Sequence, residues 1–79
     1  MRLDKYLKVS RLIKRRTVAN EACSGGRVTV NGKTAKAGTN VKPGDEIRIQ
    51  FGNRGVAVEV LAVMDTVKKD QAAELYRYL

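Results

Sequence analysis

An α+β domain is the fold this sequence predicts: two short N-terminal helices packed on a small, mostly antiparallel sheet, with a helix at the C-terminus. Three observations carry that expectation. Apolar residues recur at helical spacing before residue 24, an Asn31-Gly32 pair sits between two short β-prone runs, and residues 46–51 and 56–60 alternate with a period of two.

Leu3, Tyr6 and Leu7 fall on one helical face, and the pattern breaks near Ser10, which predicts a first helix over roughly 2–9. A second helix is expected from about 16 to 24. Val18, Ala19, Ala22 and Cys23 form its apolar stripe, and Gly25-Gly26 ends it. Arg27–Val30 and Lys33–Ala35 then form a hairpin, because Asn-Gly accepts the positive φ of a two-residue type I′ turn. Pro43-Gly44 makes a second turn, feeding the strand Glu46–Phe51. Gly52–Gly55 is another tight connection, leading into Val56–Leu61. Near the C-terminus, Ala72, Leu75, Tyr76 and Leu79 share one helical face, and this helix is free either to pack on the sheet or to hang from it. Tyr6 and Phe51 are read as core residues.

With 79 residues there is room for one domain and no second core. A single cysteine and no histidine exclude an internal disulfide and a Cys/His zinc site. No apolar run is long enough to span a membrane, and no secretory signal opens the chain, so a cytoplasmic protein is expected. The net charge is +8, and it is polarised. Residues 1–36 hold ten Lys and Arg against Asp4 and Glu21, whereas residues 37–79 hold six of each sign. Such a concentration favours nucleic acid or an anionic surface as partner.

Catalysis finds no footing. Without histidine the usual proton shuttle is missing, and the carboxylates do not group: Asp45 and Glu46 read as turn and strand-start residues. Cys23 lies on an apolar stripe, where a thiol acts as a small hydrophobe. The glycine pairs match no nucleotide-binding fingerprint, and four scattered aromatics make no base-stacking platform. What remains is the basic constellation. Arg2, Lys5 and Lys8 lie three apart along helix one, Arg11 follows, and Lys14-Arg15-Arg16 places three cations where helix two begins. A helix N-terminus adds free N–H groups and its dipole's positive end. Arg2 and Arg16, able to grip a phosphate through two parallel bonds, are the candidate fixed points, and Lys33 extends the surface from the hairpin.

Four motifs in order, Arg2-Leu3-Asp4-Lys5-Tyr6-Leu7, Arg16-Thr17-Val18-Ala19, Gly26–Gly32 and Val41-Lys42-Pro43-Gly44-Asp45, resemble the S-four RNA-binding domain family over residues 1–51. With Leu12–Arg16 and Ala72–Tyr76 included, the chain is similar to the stand-alone members. On that resemblance residues 1–64 form the RNA-binding domain and 65–79 a C-terminal helix. The resemblance implies a non-enzymatic, cofactor-free monomer that works in ribosome-associated quality control. It would bind obstructed large ribosomal subunits carrying peptidyl-tRNA, touching rRNA and tRNA through basic residues of the two-helix motif, which Arg2 and Arg16 match here; the charge pattern itself makes Arg2, Lys5, Lys8, Arg11, Lys14, Arg15, Arg16 and Lys33 the RNA-binding candidates. It would also support C-terminal alanine tailing of the stalled chain beside a partner of the NEMF type. The alternatives are a heat-shock-type factor that recycles large subunits, an RNA-targeting module related to rRNA-modifying enzymes, and a binder of DNA or a membrane surface.

Overall fold

The computed structural model describes residues 1–79. Helices α1 (Leu3–Val9) and α2 (Arg16–Ser24) precede strands β1 (Val28–Val30), β2 (Lys33–Thr34), β3 (Glu46–Phe51) and β4 (Arg54–Val60); a 3-10 helix (Lys69–Leu75) and β5 (Tyr76–Tyr78) follow. The five strands make one sheet in the order β2-β1-β3-β4-β5, with every neighbouring pair antiparallel.

The register puts Val28 opposite Ile49, and Ile47 opposite Val58. Cross-strand partners share a face, so one side of the sheet is a continuous apolar surface. Leu3, Tyr6 and Leu7 of α1 and Ala19, Ala22 and Cys23 of α2 close over it in one core cluster. Asn31 (φ 53°) and Gly32 (φ 84°) both adopt the positive φ of a type I′ turn between β1 and β2. The second turn is tied to the first: buried Asp45 accepts from the Lys42 N–H and from Asn31 Nδ2, both at 3.0 Å, while Asn31 Oδ1 accepts from the Glu46 N–H.

Ser10 ends α1, and its hydroxyl donates back to the Leu7 carbonyl at 3.2 Å. Arg11 then takes a left-handed conformation, φ 63°, and the Ile13 N–H donates to the Leu7 carbonyl. These bonds fold residues 10–15 into a tight corner that delivers Arg16 to the start of α2.

Three expectations are corrected. Val18 is 41% exposed, because it sits at the margin of a stripe narrowed to Ala19, Ala22 and Cys23. Phe51 is 39% exposed: it has the parity of Ile47 and Ile49, but it stands at the hairpin tip, opposite Arg54. The C-terminal helix occupies only Lys69–Leu75, wound as a 3-10 helix whose three-residue turn stacks Ala72 on Leu75, both buried. Tyr76–Tyr78 extend instead as β5, because β4 offers them a free edge: Val60 pairs with Tyr76, Glu59 with Arg77 and Val58 with Tyr78. The segment docks on the sheet. The Leu75 carbonyl accepts from the Leu61 and Ala62 N–H groups and from the buried Tyr6 hydroxyl at 2.7 Å.

Candidate nucleic-acid interface

The basic residues of the first half are organised around an acid. Asp4 lies in the first turn of α1 and is only 2% exposed. Its Oδ1 accepts from the Lys5 N–H at 2.8 Å and from Arg2 Nε at 3.2 Å; its Oδ2 accepts from Arg2 Nη2 at 3.3 Å and faces Arg16 Nε at 3.5 Å. One carboxylate therefore holds two arginines that are fourteen residues apart. Burial alone would raise its pKa, but the Lys5 N–H and the Arg16 and Arg2 guanidiniums outweigh that cost and hold it below the ordinary carboxylate value. Asp4 stays ionised at neutral pH, and both guanidiniums stay anchored with their outer edges in solvent.

Arg15 is the N-cap of α2 and supplies no side-chain cap. The N–H groups of Arg16, Thr17 and Val18 donate to nothing in the protein, so the helix start is an open row of donors beside Arg16. A hollow of about 400 Å³ opens there, lined by Asp4, Arg16, Thr17, Asn20 and Glu21. α1 differs: the N–H groups of Leu3 and Asp4 are taken by the carbonyls of Thr39 and Ala37. Of the two N-terminal helices, only α2 has free donors for an anion.

A second group forms at the corner between the helices. Lys8, Arg11 and Lys14 line a cleft of about 200 Å³ with Asp65 and Thr66. Lys5 lies close to this group and pairs with Asp65 at 3.1 Å. Of the eight predicted residues, the structure thus gathers Arg2 and Arg16 around Asp4, and Lys8, Arg11 and Lys14 around the cleft. Arg15 stands exposed at the head of α2. Lys33 is exposed on β2 opposite Val30, and joins neither group. Sequence reasoning missed Asp4 and Asp65 as organisers. Asp4 had a signal, an acid flanked by Arg2 and Lys5 in a strongly basic stretch; Asp65 had none, since it meets Lys5 only through the fold.

Cys23 is buried, and burial pushes its thiol pKa up. No group of His, Cys, Asp and Glu stands ready to hold a metal ion, and no helix is long and apolar enough to cross a membrane.

The architecture and the motifs have close counterparts. The chain is 63% identical over 96% of its length to the RQC P-site tRNA stabilizing factor of Halalkalibacterium halodurans, covering 86% of that protein. It is 56% identical over its whole length to the Bacillus subtilis protein of the same name, covering 92% of it. Among solved structures, heat shock protein 15 of Vibrio cholerae superposes with a TM-score of 0.92 at 31% identity, over all of this chain and 81% of that one. Residues 1–47, which contain α1, α2 and the first hairpin, match the S4 domain, and the chain belongs to the S4 domain family.

Proposed function

We propose that this domain is an RNA-binding factor of ribosome-associated quality control. It engages large ribosomal subunits that still carry peptidyl-tRNA, and it holds that tRNA in place by touching rRNA and tRNA together. It makes and breaks no bonds. The observation that carries the reading is the Asp4 anchor: two guanidiniums fixed beside the unpartnered N–H groups of α2 form a rigid phosphate receptor. The similarity to P-site tRNA stabilizing factors supports the choice of partner. By holding the tRNA, the domain supports C-terminal alanine tailing of the stalled chain, in company with a NEMF-type factor on the same subunit.

Phosphate contacts position without reading sequence, and A-form RNA hides its major groove, so recognition is of shape. The residues proposed to contact RNA are Arg2, Lys5, Lys8, Arg11, Lys14, Arg15, Arg16 and Lys33. Co-sedimentation with large subunits tests the reading. Arg16→Ala, and Arg2→Ala nearly as much, weaken binding by ~1–3 kcal/mol with the fold intact. With about five phosphates neutralised, log K falls against log salt with a slope of roughly −3.5 to −4.5. A flat salt response, or wild-type binding by both variants, would sink it. A large-subunit recycling role of the heat-shock type is the second reading, favoured by the superposition on heat shock protein 15.

A further inference from the structure

The sheet has a second face, turned away from both helices, and it is not neutral. Arg48 on β3 opposes Thr29 on β1 and Ala57 on β4, so these three side chains share the outer surface. Arg27 immediately precedes β1, and its carbonyl accepts from the Gln50 N–H at 2.9 Å, which places it diagonally across from Arg48 on that surface. Diagonal neighbours of this kind stand roughly 7–8 Å apart, within joint reach of one ligand. The two arginines wall a shallow groove of about 380 Å³ with Gly26, Gly55 and Ala57 among its lining. Thr29 and Gln50 complete the diagonal between the two arginines, and the small residues keep the flank of the groove on β4 low.

Both arginines are exposed, and neither makes an ion pair. The acids of this face, Glu46 and Glu59, lie opposite each other one step along the sheet from Arg48, on the side away from Arg27; Arg77 engages Glu59 at 2.6 Å, and neither acid pairs with Arg48. The groove therefore carries two planar cations that make no ion pair, with no acid between them. Arg27 lies just beyond the C-terminal end of α2, where its N–H donates to the Ala22 carbonyl, whereas Arg16 opens that helix, so the groove and the Asp4 anchor stand at opposite ends of α2.

We propose that Arg27 and Arg48 form a second anion-binding surface that takes the phosphate backbone of a separate RNA segment. Arginine forks match phosphate oxygens in pairs, and the small groove lining lets a sugar-phosphate strand approach the sheet closely. That the contact is a second one rests on the proposed RNA contact of the helices. The domain is then a spacer held between two RNA surfaces.

The experiment is a salt titration of binding to purified large ribosomal subunits. With Arg27→Ala/Arg48→Ala the slope of log K against log salt becomes shallower by about 2, one for each lost phosphate contact. Affinity at low salt falls roughly tenfold, and the melting midpoint of the free protein does not move, because both side chains are exposed and neither makes an ion pair. Should the alanine variant fail to fold, Arg27→Gln/Arg48→Gln carries the same expectation. A photo-crosslinker replacing Gln50 reports what occupies the groove. Crosslinks to RNA support the proposal; crosslinks only to protein, no crosslink, or an unchanged salt slope overturn it. Arg2→Ala/Arg16→Ala is titrated in parallel. If that pair has no effect while the Arg27/Arg48 pair does, the helix reading fails and the sheet-face contact stands.

Discussion

Replacing Asp4 by Asn separates a fixed receptor from a diffuse cloud of charge. The amide keeps the shape and can still accept from the Lys5 N–H, but it loses the charge that holds Arg2 and Arg16 and turns an NH2 donor toward a guanidinium. The carboxylate is buried while the arginine side chains are about half exposed, so solvent screens part of each pair. A loss of about 1–2 kcal/mol of stability follows, or about 4–16 °C in melting midpoint for a domain of this size. Ordering a long side chain costs ~0.5–1.5 kcal/mol on binding, so freeing two arginines that are now partly pre-ordered weakens RNA binding by about 1 kcal/mol, roughly fivefold. The net charge nevertheless rises by one. A pure charge effect therefore predicts tighter binding and a geometric one predicts weaker binding. Co-sedimentation with large subunits below the variant's melting midpoint decides, and tighter binding by Asp4→Asn would refute the receptor. Acid gives a second readout. The folded-state pKa of Asp4 lies below the ordinary carboxylate value, so its stabilisation is complete above that ordinary value and is lost as pH falls through the folded pKa. The Asn variant loses this component of acid unfolding.

Tyr6→Phe removes the hydroxyl that ties α1 to the Leu75 carbonyl. That carbonyl keeps the Leu61 and Ala62 N–H groups, so the loss in urea unfolding is about 0.5–1.5 kcal/mol, and a loss above 3 kcal/mol would show that the hydroxyl does more than make this bond. Cys23, buried and with its pKa raised, resists alkylation at neutral pH until the domain unfolds. Rapid labelling of folded protein would contradict the packing of α2.

Much of the first half was legible from residues 1–51, because its signals are local. Asn31-Gly32 names its own turn, Gly25-Gly26 stops a helix whatever surrounds it, and Glu46–Phe51 alternates over its whole length. The C-terminal segment was harder. Spacing of three between Ala72 and Leu75 fits either kind of helix, and only the free edge of β4 makes Tyr76–Tyr78 extended. Phe51 had a core residue's pattern, and its exposure depends on where the helices stop covering the sheet. In the candidate site the cations were countable, but their grouping was not. Arg2 and Arg16 meet through a carboxylate that composition records only as one of two acids in a basic stretch, and Arg48 belongs to a half of the chain that sums to zero.

Arg11 bears on how such a surface is maintained. Its left-handed backbone, φ 63°, is the conformation glycine adopts freely and an L side chain adopts against a penalty of ~1–2 kcal/mol. A sequence drifting under selection for stability alone would settle on glycine at this corner. An arginine there, with its side chain at the mouth of the cleft beside Lys8 and Lys14, is held against the backbone's own preference. Thermostabilising substitutions at this position and retention of the cleft's charge therefore pull in opposite directions, and a library sorted on melting temperature would be expected to lose the arginine first.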